Sequence, residues 1–218
     1  KANGASDEEI HKSFHTPTDM SIFTYHGDVD TTMTPLDSIR YVKSFLRAGF
    51  MSMDPMTGAV KAYVGGLDYT HFMYDMVSLG RRQVGSTIKP FLYSLAMENG
   101  FSPCDLAPNR QQTYMVAGKP WTPRNANHAR YGQMVPLKWG LAQSNNWISA
   151  YLMSKLNPQQ FVQLLHDYGI QSPDIHASMS LCLGPCEVSV CEMVSAYTAF
   201  ANHGIRTEIG RASCRERV

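Results

Sequence analysis

The stretch Arg81-Arg82-Gln83-Val84-Gly85-Ser86-Thr87-Ile88-Lys89-Pro90 constrains the fold of this chain more than any other. Past Gly85 the apolar residues Ile88, Phe91, Leu92, Leu95 and Ala96 recur at helical spacing, and Asn99-Gly100 supplies a stop. Pro90 suits an opening turn, where its missing N–H costs little. The spacing predicts Ser86 at a helix N-terminus and Lys89 on the same face one turn later. A serine hydroxyl is a poor nucleophile until a base takes its proton, and Lys89 is within side-chain reach. The free N–H groups of a helix start also face any oxyanion that forms there.

Ser-x-x-Lys alone is a weak signal, because ordinary Ser and Lys usage predicts about one chance match in a chain this long. By itself it reads as a helix start with a solvated lysine. Its company changes that. Ser144-Asn145-Asn146 falls in the break between two helical segments. Ser-x-x-Lys with a Ser-Asp-Asn-type second motif and a Lys-Thr-Gly is the signature of penicillin-binding proteins and class A β-lactamases.

The segment Arg82-Gln83-Val84-Gly85-Ser86-Thr87-Ile88-Lys89-Pro90-Phe91 resembles the active-serine segment of class A (bifunctional) penicillin-binding proteins. The similarity extends upstream through Asp54-Pro55-Met56-Thr57-Gly58-Ala59-Val60 and Val64-Gly65-Gly66. Downstream it takes in Trp121-Thr122-Pro123-Arg124-Asn125, Leu141-Ala142-Gln143-Ser144-Asn145-Asn146 and Val194-Ser195-Ala196-Tyr197-Thr198-Ala199-Phe200-Ala201-Asn202. These motifs keep family order across about residues 20 to 207. The resemblance implies an α+β transpeptidase fold of the penicillin-binding protein and serine β-lactamase kind. It is expected to be incomplete here: the helical part and first β-hairpin, without the later strands of a five-stranded sheet. It also implies residues 1–47 as inter-domain linker region and entry helix, 48–207 as a partial transpeptidase domain, and 208–218 as a non-native tail.

Along the chain, residues 1 to about 18 are polar and read as linker with one short helix. Ile22-Phe23-Thr24-Tyr25 is a candidate strand before a Gly27-Asp28 turn. From Thr34-Pro35-Leu36-Asp37 a helix is predicted to Arg47, with Ile39, Val42, Phe45 and Leu46 as its apolar stripe. Phe50–Met53 and Val60–Val64 flank a turn-rich Asp54-Pro55-Met56-Thr57-Gly58 and predict a hairpin, followed by an irregular loop over 67–79. Residues 100 to about 133 carry four prolines and little periodicity. Beyond them helices are predicted over 137–143, over 146–156, and from an Asn157 cap with Pro158 in first position to Gly169. Ser189-Val190-Cys191-Glu192 reads as a capping box for a last helix that stops at Gly204. Ile209–Val218 has no period and resembles the conceptual translation of a sequencing-library adapter, so it is set outside the fold argument.

Charge and cysteines exclude little but usefully. A formal charge of +1 offers no electrostatic case for nucleic acid or an anionic membrane. No apolar run reaches the roughly 18 residues of a membrane helix, and a chain opening on Lys1 reads as an internal segment. The resemblance implies an N-terminal membrane anchor and a glycosyltransferase domain in the parent protein, and action at the periplasmic face of the bacterial inner membrane. Cys182, Cys186 and Cys191 miss the paired Cys-x-x-Cys of zinc sites. With Cys104 they read as small buried side chains, a disulfide staying open. His128, His166, His176 and His203 hold no catalytic spacing.

The mechanism implied by the resemblance has Ser86 attacking the carbonyl between two terminal D-alanines of a peptidoglycan stem peptide. Lys89 accepts its proton, Ser144 relays one to the leaving amine, and Asn146 holds the substrate backbone and Lys89. Trp121 and Asn125 border the substrate groove; loop residues satisfying their own backbone read equally well there. β-Lactam antibiotics acylate the same serine, and no cofactor or metal is required. A Lys-Thr-Gly or Lys-Ser-Gly is absent after all eight lysines, and in the family it lies beyond residue 207. The chain as given is therefore expected to be inactive. A class A β-lactamase is disfavoured because Glu187, Glu192, Glu208 and Glu216 all lack an Asn three places on. A penicillin-sensing receptor domain and a non-catalytic structural fragment are the remaining alternatives.

Overall fold

The computed structural model describes residues 6–210. One compact unit comprises residues up to Ala48 together with Gly66–Tyr74. The other comprises Gly49–Gly65 and the residues from Asp75 onward.

The first unit opens with α1 (Asp7–His15), whose capping box joins Ser6 and Glu9. An antiparallel hairpin follows, β1 (Thr18–Thr24) and β2 (Gly27–Met33). Gly27-Asp28, expected as the turn, instead begins β2, and the reversal occurs at Tyr25-His26. Thr24 closes it, its hydroxyl donating to Gly27 O at 2.6 Å and accepting from His26 N at 3.2 Å. Helix α2 (Pro35–Ser44), capped by Thr34, ends three residues short of the expected Arg47. Phe45 turns out of the helix because its ring has better company off it. Phe23, Tyr25, Tyr41 and Phe72 lie 5.1–6.0 Å from it, mostly edge to face. His71 adds a polar tie, with Nδ1 2.8 Å from Asp68 and Nε2 3.0 Å from Asp28. The Asp68 hydrogen bond, opposed next by burial and aided by Asp28, raises its pKa.

The second unit starts with the expected hairpin, β3 (Phe50–Met53) and β4 (Val60–Val64). Asp54 closes it by accepting from Met56 N and Thr57 N. A short strand, β5 (Arg81–Gln83), leads through a 3₁₀ turn (Gly85–Ile88) into α3 (Lys89–Glu98). The proline-rich stretch is more structured than its periodicity suggests. It holds β6 (Leu106–Pro108), β7 (Tyr114–Val116) and β8 (Lys119–Trp121), and β9 (Met134–Pro136) follows to pair with β6. The β7–β8 hairpin turns at Ala117 (φ +48°) and Gly118 (φ +76°). Two positive φ values make a type I′ geometry, and Ala in place of the usual Asn or Asp hid that turn in the sequence.

Helices α4 (Leu137–Ala142), α5 (Asn146–Met153) and α6 (Pro158–Asp167) follow, with α5 three residues shorter than expected. A second 3₁₀ turn (Met179–Leu183), β10 (Glu187–Ser189) and α7 (Val190–Ala201) close the sequence of elements. The core lies among α3, α5, α6 and the second 3₁₀ turn. Phe91, Leu92, Ile148, Leu152, Met153, Phe161, Leu165 and Leu181 are all buried there. Each such side chain contributes about 1.5–3 kcal/mol relative to exposure. Of the four described cysteines Cys182 and Cys186 are buried as expected, Cys191 is half-buried, and all are free. Cys104 departs from the expectation: it is exposed, in a turn after Pro103. Residues 208–210 of the expected tail contact the hairpin turn, Gly210 N donating to Gly58 O at 2.8 Å; 211–218 and Cys214 lie outside the described residues.

The strand β10 pairs antiparallel with β5, a contact between residues more than a hundred positions apart. The α7 capping box secures it. Glu192 accepts from Ser189 N and Oγ and from Arg81 at 3.2 Å, and its other oxygen accepts from Gln171 N. Ser189→Ala removes one side of this box, and urea unfolding should show a loss of about 1 kcal/mol at unchanged m-value.

Candidate active site

Ser86 sits in the 3₁₀ turn and is exposed, while Lys89 opens α3 and is 1% exposed. A lysine this deep must satisfy its three N–H donors locally. Lys89 Nζ does so with Ser144 O at 2.6 Å, Asn146 Oδ1 at 2.7 Å and Ser144 Oγ at 3.1 Å. Three of the residues singled out in the sequence thus meet at one nitrogen. Ser86 lies one turn before it. Among the described residues neither its Oγ nor its backbone N–H has a hydrogen-bond partner.

Burial pulls the Lys89 ammonium down to about 8, with a lesser opposing effect from the Cys182 thiol. That thiol is itself pushed up to about 12 by burial, so it is neutral at pH 7 and burial governs the lysine. At pH 7 a pKa of about 8 leaves roughly one lysine in ten neutral, against fewer than one in a thousand for a free side chain. A neutral amine one turn from an exposed hydroxyl can act as a base toward it.

The Ser144 turn explains how one residue offers two acceptors. Ser144 has φ +48°, a left-handed conformation uncommon for a residue with a side chain. Its N–H donates to Leu141 O and that of Asn145 donates to Gly140 O, both at 2.9 Å. This is a Schellman closure of α4 with Ser144 in the position usually taken by glycine or asparagine. Asn145 then caps α5 at once, its Oδ1 accepting from Trp147 N and Ile148 N.

Ser86 is carried on a backbone held from two sides. Val84 N and Gly85 N donate to Cys186 O and Gly184 O. Tyr197 of α7 donates its phenol proton to Thr87 O at 2.6 Å. Gly184 has φ +65°, and a Cβ there would collide with Gly85 O and lie 2.7 Å from Gly85 N. Glycine is required at this point for backbone approach as well as conformation.

Asn125 and Trp121 stand differently from the other four. Asn125 Oδ1 accepts from Asn146 N at 3.0 Å and its Nδ2 donates to Asn127 O at 2.5 Å. Its amide thus holds the loop against the start of α5. Asn146 Nδ2 donates to Arg124 O, and Trp147 Nε1 to Pro123 O, in the same clamp. Trp121 packs against the core beside Tyr114, ring centroids 6.2 Å apart. Sequence reasoning passed over Asn145, Gly184, Tyr197 and the buried Asn109. Only Asn145 carried a local signal, as a cap before the apolar run of α5.

Two family models cover this architecture. The penicillin-binding protein transpeptidase domain matches residues 48–210, and the penicillin-binding protein middle domain matches 1–46. The chain belongs to the penicillin-binding protein transpeptidase family. Penicillin-binding protein 1A of Neisseria cinerea is 32% identical over 164 residues, 74% of this chain and 20% of that protein. Its Pseudomonas aeruginosa counterpart is 30% identical over 162 residues, 73% of this chain and 20% of that protein. The crystal structure of penicillin-binding protein 1A from Haemophilus influenzae superimposes with a TM-score of 0.67 at 30% identity, covering 72% of this chain and 23% of that one. The chain therefore spans about a fifth of the length of the curated relatives it matches. The fold is the α+β fold of this transpeptidase family, with few strands in the part described.

Gly184→Ala should move the Ser86 segment away from Lys89. We expect a loss of about 2 kcal/mol or more in unfolding free energy from the strained φ and the backbone collision.

Proposed function

We propose that this chain carries the acyl-transfer site of a peptidoglycan D,D-transpeptidase, with Ser86 as nucleophile and Lys89 as its base. The observation that supports this best is the buried Lys89 Nζ, ringed by Ser144 and Asn146 one turn from the exposed Ser86 hydroxyl. Neutral Lys89 takes the Ser86 proton as Oγ bonds to the carbonyl carbon of the penultimate D-alanine. The tetrahedral oxyanion that forms faces the unengaged Ser86 N–H. The C–N bond then breaks as Ser144 Oγ gives its proton to the departing D-alanine amine and takes the one held on Lys89 Nζ, leaving the lysine neutral. An amine from a neighbouring stem attacks the resulting ester and yields a proton through Ser144 to Lys89, which returns it to Ser86 Oγ as the ester C–O bond breaks. Asn146 holds the lysine with Oδ1 while its backbone is fixed by Asn125.

The same chemistry makes β-lactam antibiotics ligands of this site, since opening their strained amide leaves an ester on Ser86. Peptidoglycan stems lie outside the cytoplasmic membrane, so this reading places the site on the periplasmic side. The membrane anchor and glycosyltransferase domain of a bifunctional synthase belong to the same reading. Among the described residues no helix is long and apolar enough to cross a membrane.

A fluorescent penicillin should label the full-length protein at Ser86, and Ser86→Ala should abolish the label. Label persisting in Ser86→Ala would overturn the assignment. The active form of Lys89 is the neutral one, so the acylation rate should rise about tenfold per pH unit below its pKa and level off above about 8. Lys89→Arg, charged at every accessible pH, should lose about 10²–10⁴ in rate. A wild-type rate that is flat between pH 6 and 9 would remove Lys89 from the role of base.

A further inference from the structure

We propose that the buried pair Asn109–Asn145 is a positioning clamp that holds Ser144 and Asn146 on Lys89, a role that rests on the transpeptidase reading above. Asn109 is 0% exposed and Asn145 2% exposed, two buried amides where most buried side chains are apolar. Asn145 Nδ2 donates to Asn109 Oδ1 at 2.8 Å. Asn109 Nδ2 donates onward to Ala129 O at 2.8 Å and Arg130 O at 2.9 Å. The Asn109 backbone joins the same loop, its N–H donating to Gln133 O and its carbonyl accepting from Gly132 N. Every polar atom of both side chains therefore has a partner, as two buried amides require.

Capping alone does not explain this arrangement. Ser, Thr or Asp at position 145 would cap α5 as well as Asn does. An amide uses two separate atoms: its oxygen accepts from the Trp147 and Ile148 N–H groups while its nitrogen, further out, donates to Asn109. That second bond gives the turn its register. Ser144 is left-handed, a conformation that persists only where both flanks are fixed. The α4 closure fixes one flank, and the Asn145 side chain, anchored through Asn109, fixes the other. Residues 144, 145 and 146 then face three ways: Ser144 is exposed, Asn145 buried, and Asn146 turned to Lys89. Slack in Asn145 would reach both neighbours, and through them three hydrogen bonds to Nζ. The groups facing Nζ are Ser144 and Asn146 by hydrogen bond and the Cys182 thiol from the second 3₁₀ turn.

Two variants cut the link from opposite ends. Asn145→Ser keeps the helix cap and replaces the Nδ2 donor to Asn109 with a shorter hydroxyl. Asn109→Leu keeps approximate volume and removes the acceptor. Lys89 titration is followed by NMR of the lysine carbon beside Nζ, assigned with Lys89→Arg, and the β-lactam acylation rate is followed as a function of pH. The clamp predicts that both variants raise the Lys89 midpoint toward the ordinary lysine value, as a loosened site admits water. Both should also slow acylation of the folded fraction roughly tenfold or more at pH 7, and the double variant should be little worse than the slower single one. An unmoved Lys89 midpoint in Asn145→Ser, or rate losses that add in the double variant, would overturn the clamp. The titration needs no activity, so it decides the clamp even if the full-length wild type fails to acylate at Ser86, an outcome that overturns the transpeptidase reading instead.

Discussion

Lys89 is an ammonium taken out of water at the first residue of a helix, and the surroundings of Ser86 are arranged around that cost. Burial with three good acceptors leaves the group foldable but poised, its pKa near 8. The sign of the cost follows from linkage. Between about pH 8 and 10.5 the unfolded chain binds the lysine proton more tightly than the folded one. Stability therefore climbs with pH across that window, and the whole penalty, on the order of 3 kcal/mol, is present below it. A surface lysine in this place would carry no such penalty and would stay charged at neutral pH.

The remaining elements read as supports for that nitrogen and for the hydroxyl one turn away. The β5–β10 pair, the Gly184 approach and the Tyr197 bond to Thr87 hold the backbone on either side of Ser86. The α4 closure and the Asn145 cap hold Ser144 and Asn146. The loop over 123–127 closes on the start of α5 through Asn125 and Trp147. Most of these supports are hydrogen bonds from backbone or neutral side-chain groups, with the Arg81–Glu192 ion pair beside β5. The neutral bonds depend little on salt.

The first unit follows a different logic. Its strands are exposed or half-buried throughout and its helices bury no residue completely. Cohesion comes instead from the ring cluster around Phe23, Phe45 and Phe72 and from His71 between two carboxylates. Aromatic edges tolerate irregular backbone. That is why Phe45 leaves its helix early and why a helical period ran on too far in the sequence.

Local signals were legible wherever a residue acts on its near neighbours. The capping box at Ser189, the Asn157-Pro158 start, the β3–β4 hairpin and the Ser86–Lys89 spacing all follow from bonds within a few residues. The two motifs pointed to one site, and the family they resemble is the family the chain belongs to. What tertiary structure alone decided is burial and long-range pairing. Nothing in Lys89 itself says that it is dry, since dryness comes from helices and turns packed over it. The left-handed Ser144, the Asn109–Asn145 bond and the β5–β10 strand pair join positions 36 to more than a hundred residues apart, or depend on such joins. An asparagine in a proline-rich stretch looks like a loop residue until another chain segment places an amide against it. The same holds for Asn125, whose polar ends are spent on backbone partners that only the folded loop brings within reach.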